Sequence, residues 1–166
     1  MKKFILISLM GLNGFVGLMG QCLPTTRQGT EQVRIVRVID GDTIEVRDIW
    51  GNTWDVRLLG INAPEITRGN SEPFGQEAKE FVEGLILGRD VWLINDRPKN
   101  EYTFNRRLVF VEIDGRDVSL ALVESGLAQV YEDKYRTSRT EEYTKAQTKA
   151  RNSRIGIWGV LIQVLA

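Results

Sequence analysis

Three short segments of the chain carry residue types that could bind a phosphate or a metal ion, and a fourth, Gly156-Ile157-Trp158, accompanies them near the end of the domain. The three combine carboxylates, guanidinium groups and turn residues, and they are residues 40–43, 57–65 and 105–108. Arginine donates parallel N–H bonds to phosphate, whereas carboxylates bind hard cations or accept a proton from water. Each segment alone also has an ordinary structural interpretation, because Asp-Gly is a common hairpin turn and strand arginines often lie along a surface. The chemistry therefore depends on whether the fold brings the segments together.

The histidine and cysteine counts restrict that chemistry. The chain contains no histidine, so imidazole cannot serve as base, nucleophile or metal ligand. It contains a single cysteine, so it can form neither an internal disulfide nor a cysteine-rich metal site. Carboxylates, arginines, lysines and hydroxyls remain for catalysis. The formal net charge of +0 argues against a broad basic surface, so any phosphate binding must be local.

Residues 1–22 have the pattern of an export signal. Lys2 and Lys3 precede an apolar run over residues 4–19 that contains no acidic residue. Cys22 follows where a bacterial lipoprotein would be acylated, although Gln21 is bulkier than the small residue usual at that point. We expect an exported protein, either secreted or periplasmic, or held at the envelope by a lipidated Cys22; membrane fractionation of a Cys22→Ala variant distinguishes these alternatives.

The rest of the chain divides into a linker, one folded domain and a short tail. Residues 23–31 are rich in Thr, Gln, Gly and Pro, which favours a flexible linker. Residues 32–160 are predicted to form the domain, and residues 161–166 an apolar tail. The length of 166 residues is enough for one hydrophobic core.

Alternating and β-branched residues predict five strands, at residues 33–39, 43–47, 54–58, 91–95 and 107–113. Helical spacing predicts a helix over residues 75–87, a short helix over 119–125, and a longer one after residue 135 that begins with a capping box of Ser138 and Glu141. This order is typical of an α+β, mainly β fold: a five-stranded Greek-key barrel of the OB type with about three helices. We expect a monomer.

Taken together and in this order, the four segments resemble the staphylococcal nuclease (thermonuclease) family, over a stretch from about Val33 to Trp158. Residues 72–78 resemble the family's entry into its first helix, residues 120–128 resemble its short second helix, and Trp158 resembles the tryptophan after its last helix. The resemblance implies a calcium-dependent nuclease that hydrolyses phosphodiester bonds of DNA, RNA or both.

The resemblance also implies roles for particular residues. Glu65 would be the general base that activates water, and Arg57 and Arg106 would clamp the phosphate. Asp42 would ligate Ca²⁺ directly, with a backbone carbonyl from Ala63.

Three positions depart from the family pattern. The second carboxylate of the calcium site is replaced by Asn62, whose amide offers an oxygen without charge and predicts weaker calcium binding. Asn105 and Arg107 stand where the family usually has glycines. Asn tolerates a left-handed backbone, whereas Arg107 would either add a phosphate contact or crowd the pocket.

Aromatic residues extend the candidate nucleic-acid surface. Phe104, Tyr131 and Tyr135 are candidates for nucleotide binding, because aromatic faces stack on any base, but each is also a normal core or rim residue. The alternative function is a non-catalytic OB-fold module that binds single-stranded nucleic acid or a protein partner at the cell envelope. The complete set of Asp42, Arg57, Glu65 and Arg106 favours the enzyme.

Overall fold

The computed structural model describes residues 29–67, 70–96, 101–131 and 136–159. In chain order its elements are β1 (Thr30–Val38), β2 (Thr43–Arg47), β3 (Thr53–Leu58), β4 (Ile61–Asn62), β5 (Ile66–Thr67), β6 (Asn70–Ser71), α1 (Gly75–Ile86), β7 (Asp90–Ile94), β8 (Glu101–Thr103), β9 (Arg106–Ile113), β10 (Arg116–Asp117), α2 (Val118–Glu124), β11 (Gln129–Val130) and α3 (Thr140–Asn152). Within the described ranges, no helix combines the length and apolar character needed to cross a membrane. The predicted export signal, Cys22, Tyr135 and the tail at 161–166 lie outside those ranges.

Five strands close into a barrel. β1, β2 and β3 form an antiparallel meander, β3 runs parallel to β9, and β9 pairs with β7, which returns antiparallel to β1. A register shift in β1 between Ile35 and Arg37 is the kind of bulge that bends a strand around such a closed sheet. The predicted five-stranded OB-type barrel with about three helices is therefore confirmed.

The barrel is filled by aliphatic side chains that point inward on alternate positions of its strands. Fully buried members of this core include Ile35, Val46, Val56, Leu93 and Val111. α1 packs against the same core through one face, with Ala78, Val82 and Ile86 at a spacing of four residues. The barrel and α1 thus share a single core.

A network of charged groups fixes α3 against the barrel. Arg139 donates to Asp117 at 2.6 Å and to Glu112 at 2.5 Å, and its guanidinium lies 4.2 Å from the centre of the Phe110 ring. The hydroxyl of Tyr143 donates to the same Asp117 carboxylate. Asp117 also caps the amino terminus of α2. One carboxylate therefore connects α2, α3 and the sheet.

The start of α3 differs from the prediction. The proposed capping box of Ser138 and Glu141 is wrong, because Arg139 precedes the helix without a side-chain cap. The Oγ1 of Thr140 instead accepts from the Thr137 N–H at 2.7 Å, and the Oγ1 of Thr137 accepts from the Arg139 N–H at 3.2 Å. Thr137 and Thr140 thus brace the turn that precedes the helix, since a threonine hydroxyl accepts from a backbone N–H as a carboxylate does.

Element boundaries shift by a few residues from the predictions. Thr30 and Glu31, predicted as linker, belong to β1, where they pair with Ile94 and Leu93 of β7. This pairing satisfies their backbone groups, which composition alone does not reveal. The two- and three-residue strands β4, β5, β6, β8, β10 and β11 were not predicted, because they are too short for alternation to show.

Two glycines hold the carboxyl-terminal segment against α2. Gly126 and Gly156 have φ of +65° and +59°, and a Cβ on Gly126 would lie 2.3 Å from the carbonyl oxygen of Ile155. The Gly126 carbonyl accepts from the Ile157 N–H at 2.9 Å. The backbone contact therefore requires a residue without a side chain.

Replacement of Gly126 should destabilise the domain, whereas replacement of a helical glycine should not. Gly126→Ala should lower the free energy of unfolding by more than about 2 kcal/mol, because the left-handed backbone and the clash with Ile155 add together. Gly84 in α1 has open space around its Cβ position, so Gly84→Ala should raise that free energy by roughly 0.5–1 kcal/mol. Urea denaturation measures both changes, and equal changes in the two variants would contradict this packing.

Candidate active site

Several predicted site residues meet at one mouth of the barrel. The strand register places Thr43 opposite Arg57, and parallel pairing places Arg57 next to Leu108. A cavity of about 430 Å³ opens there. Six of the predicted residues line it: Arg57, Asn62, Glu65, Phe104, Arg106 and Tyr131. Asp42 contacts Arg57 on the side away from the cavity, and the Ala63 N–H donates to the Asp42 carboxylate.

The turn between β1 and β2 presents Asp42 to the site. The Asp42 N–H donates to Asp40 Oδ1 at 3.0 Å, which shapes the turn. A Cβ on Gly41 would lie 2.7 Å from the Cβ atoms of both Ala63 and Ala78. Glycine is therefore needed here so that the turn can pack against α1 and the segment after β4.

The Asp42 carboxylate is 1% exposed and accepts from three groups. Arg57 Nη2 lies 2.7 Å from Oδ2, the Ala63 N–H donates to Oδ2 at 2.8 Å, and the Thr43 hydroxyl donates to Oδ1 at 3.1 Å. Burial raises the pKa of Asp42 to about 7 and the nearby Asp40 carboxylate adds to the rise, although Arg57 and the Ala63 N–H oppose it. Burial is therefore the main reason that this carboxyl group holds a proton more tightly than an exposed one.

Arg57 is held by acceptors on one of its terminal nitrogens. Besides Asp42, its Nη2 donates to Asn62 Oδ1 at 2.9 Å. Its Nη1 lies 3.5 Å from Glu65 Oε1, a long contact at the limit of hydrogen bonding. Among the described residues Nε has no hydrogen-bond partner, so Nη2 carries the two close contacts, while Nε and Nη1 keep N–H donors on different edges of the guanidinium.

Glu65 stands at the rim of the cavity on a braced backbone. Its N–H donates to the Glu72 carboxylate at 3.0 Å, and its carbonyl accepts from the Glu72 N–H at 3.0 Å. The start of α1 approaches closely, since a Cβ on Gly75 would lie 3.0 Å from the Glu65 carbonyl oxygen. The Glu65 side chain is 48% exposed. The carboxylate is thus positioned by its backbone and remains accessible to water.

Arg106 reaches the site from the turn between β8 and β9. Phe104 and Asn105 form this turn with φ of +47° and +62°, which agrees with the expectation that Asn105 accommodates a left-handed backbone. Arg106 Nη1 donates to the Thr43 hydroxyl at 3.2 Å, and no carboxylate pairs with it in the described part of the chain. Phe104 is 89% exposed beside the cavity. The second guanidinium is therefore available to an anion.

Asn62 and Tyr131 connect the cavity to the paired strands β4 and β11. Gln129 pairs with Asn62 across these strands, and the Tyr131 hydroxyl lies 2.9 Å from Asn62 Oδ1. The Asn62 oxygen therefore contacts both Tyr131 and Arg57.

Comparison with known proteins agrees with this geometry. A family model described as "Staphylococcal nuclease homologue" matches residues 55–160. The chain belongs to the staphylococcal nuclease homologue family. The thermonuclease of Staphylococcus hyicus is 30% identical over 129 residues, which cover 75% of this chain and 74% of that protein.

Two further relatives carry endonuclease names. The SPbeta prophage-derived endonuclease YokF of Bacillus subtilis (strain 168) is 32% identical over 129 residues, covering 76% of this chain and 43% of YokF. The probable endonuclease LCL3 of Pyricularia oryzae (strain 70-15 / ATCC MYA-4617 / FGSC 8958) is 36% identical over 121 residues, covering 69% of this chain and 47% of LCL3. This staphylococcal nuclease homologue thus spans less than half the length of either of these two relatives.

Arg107 does not take part in the site of this staphylococcal nuclease homologue. Its Nη1 pairs with Glu31 at 2.5 Å and its Nη2 donates to Asn95 at 3.0 Å, so neither a phosphate contact nor crowding of the pocket follows. The reason is the alternation of β9, which turns Arg106 and Arg107 to opposite faces.

Four further residues of the family member line the cavity without having been predicted as site residues: Thr103, Leu108, Arg136 and Thr137. Leu108 belongs to the predicted segment 105–108, and Thr103 lies two residues before that segment. Arg136 and Thr137 lie in none of the four predicted segments. The described residues contain no group of three or more His, Cys, Asp or Glu side chains placed to hold a metal ion.

The burial of the Asp42 carboxyl group should make the free energy of unfolding depend on pH. In the folded protein its pKa is about 7, above its ordinary value of 3.8, so between these values the folded state retains a proton that the unfolded chain has lost. In buffer with chelator, the free energy of unfolding should fall as pH rises from 5.5 to 7, by at most about 1.4 kcal/mol per pH unit. Urea denaturation at a series of pH values measures this slope.

The chain contains no histidine, so no imidazole titrates between pH 5.5 and 7 to obscure the effect of Asp42. The matched control is Asp42→Asn. That variant should lose most of the slope, since an amide does not titrate. A stability that stays constant or rises over this window in the unsubstituted protein would show that Asp42 is ionised there.

Proposed function

We propose that this staphylococcal nuclease homologue is a nuclease that hydrolyses phosphodiester bonds of DNA, RNA or both, with calcium as its cofactor. The observation that supports this most is the meeting of Arg57, Glu65 and Arg106 at one cavity, with the buried Asp42 behind Arg57. Hydrolysis of a phosphodiester needs an activated nucleophile, charge compensation at the phosphate oxygens and an open path for attack. Glu65 can activate a water molecule, Arg57 and Arg106 can compensate the charge, and the cavity leaves the path open.

Glu65 acts as the general base. A half-exposed carboxylate at the cavity rim can accept a proton from a water molecule while the oxygen of that water forms the new bond to phosphorus. The bond to the leaving ribose oxygen breaks, and that oxygen acquires a proton from solvent. The contact of 3.5 Å between Glu65 and Arg57 is long enough to exchange for water or phosphate. The base and the phosphate-binding group therefore form a long ion pair that a ligand at the cavity can open.

The two arginines bind the phosphate and offset the charge that grows on it. Arg57 offers Nε and Nη1, and Arg106 offers a guanidinium whose contact within the described chain is a neutral hydroxyl. A lysine presents a single rotating ammonium and would not hold the same geometry. Removal of one such donor in other enzymes lowers the rate by about 10²–10³.

The donor set fits a hard divalent cation. Asp42 supplies a carboxylate whose pKa is raised mainly by burial, and a bound cation would stabilise its ionised form. Asp42 would hold the ion together with the predicted backbone carbonyl of Ala63. When bound, calcium supplies fixed positive charge beside the phosphoryl oxygens and needs no imidazole ligand.

The enzyme assignment is tested by digestion of single-stranded DNA and of RNA with calcium or with chelator. Cleavage should require calcium, and Glu65→Gln and Arg57→Lys should each lower the rate by at least about 10², because each removes a group that acts in the transition state. Gel-based fluorescence assays over a time course measure these rates.

Matched controls use the same substitutions away from the cavity. Glu80→Gln on α1 and Arg37→Lys at the exposed pair with Glu45 should keep the rate of the unsubstituted protein. Binding of nucleic acid without cleavage under any divalent cation would replace the enzyme with a passive binding module. Equal losses in the site and control variants would indicate misfolding rather than catalysis.

A further inference from the structure

Two hydrogen-bond donors converge on the amide oxygen of Asn62. Arg57 Nη2 lies 2.9 Å from Asn62 Oδ1, and the Tyr131 hydroxyl lies 2.9 Å from the same atom. The donors approach from different parts of the fold, since Arg57 belongs to β3 and Tyr131 follows β11. Asn62, which departs from the family pattern, therefore accepts hydrogen bonds from two separate parts of the fold.

The orientation of this amide follows from the chemistry of its neighbours. A guanidinium nitrogen can only donate, so the Asn62 atom that faces Arg57 must be the oxygen and not the amide nitrogen. An amide oxygen in turn can only accept, so the Tyr131 hydroxyl directs its proton toward Asn62. With two lone pairs and two donors, the Asn62 oxygen is saturated, and a cation could be ligated there only by displacing a donor.

Tyr131 is itself fixed by its backbone. Its N–H donates to the Gly60 carbonyl at 3.1 Å, and the preceding Val130 pairs with Ile61 and donates to the Gln147 side chain at 2.8 Å. The backbone that carries the tyrosine is thus held by β4 and α3 before any ligand arrives. Such preorganised support is what a group needs to fix a neighbouring side chain.

We infer that Asn62 is a positioning residue that orients Arg57 toward the substrate phosphate, that Tyr131 orients Asn62, and that Asn62 is not a ligand of the cation. This inference rests on the proposed nuclease function and assigns Asn62 a different task within it. Asp42 and Asn62 together occupy Nη2 of Arg57, which leaves Nε and Nη1 for the phosphate. Loss of either support lets the guanidinium turn away from that orientation.

The test compares four variants: Asn62→Leu, Asn62→Asp, Tyr131→Phe and the double variant of Asn62→Leu with Tyr131→Phe. Leucine has nearly the shape of asparagine without its oxygen, whereas aspartate keeps an acceptor. We expect Asn62→Leu to lower kcat by about tenfold or more, Tyr131→Phe to lower it by about threefold or more, and Asn62→Asp to retain clearly more activity than Asn62→Leu. Asn152→Leu, at the exposed end of α3, is the matched control.

Two further measurements separate positioning from ligation and from folding. Isothermal titration of calcium should give dissociation constants for Asn62→Leu and Tyr131→Phe within about twofold of the unsubstituted protein, whereas loss of a ligand would weaken binding by about tenfold or more. In a double-mutant cycle on kcat, Tyr131→Phe should have little further effect in the Asn62→Leu background. Urea denaturation checks that every variant is folded.

The outcomes are distinct. Calcium binding weakened about tenfold in Asn62→Leu, with kcat restored at saturating calcium, would overturn the inference in favour of ligation. Additive effects in the cycle would overturn the link between Tyr131 and Asn62.

If the unsubstituted protein cleaves no nucleic acid, the proposed function fails by itself. Binding of a thymidine dinucleotide, followed by calorimetry, then tests the positioning alone. Weaker binding in Asn62→Leu and Tyr131→Phe than in Asn152→Leu would support it, and unchanged binding would overturn it.

Discussion

The buried pair of Asp42 and Arg57 is the constraint on which the site depends. A carboxylate that is 1% exposed and a guanidinium that is 10% exposed lie 2.7 Å apart at the barrel mouth. Taking both charges out of water is unfavourable, and removing either partner would leave the other buried without compensation. The pair persists because the strand register places Thr43 opposite Arg57, so the fold brings the charges together before any substrate arrives.

The barrel determines which other groups join that pair. Parallel pairing of β3 with β9 brings the β8–β9 turn, and with it Arg106, to the mouth where Arg57 ends its strand. The Thr43 hydroxyl bridges the two halves, because it donates to Asp42 and accepts from Arg106. Three guanidinium groups, those of Arg57, Arg106 and Arg136, and the accessible Glu65 carboxylate therefore share one cavity, with the buried Asp42 carboxylate behind it. Charged groups gathered in a cleft in this way are typical of a binding or catalytic site.

Much of the fold and the main elements of the site could be predicted from the sequence. Alternation revealed the barrel strands, and the order of the motifs around Asp42, Arg57 and Arg106 indicated the family before any geometry was known. The remaining features depend on contacts between distant segments. Gly41 is required by Ala63 and Ala78, which are neighbours only in the folded chain. Arg107 turns away from the cavity to pair with Glu31, which lies 76 residues earlier in the chain.

The geometry of the cavity predicts where a phosphate should bind, and a crystal structure with calcium and a non-hydrolysable phosphorothioate dinucleotide would show its position. The phosphorus should lie within contact of both Arg57 and Arg106, with the cation on Asp42 and a water molecule between Glu65 and the phosphate. A dinucleotide whose phosphate lies outside this cavity, with Glu65 still in contact with Nη1 of Arg57, would contradict this assignment of the site.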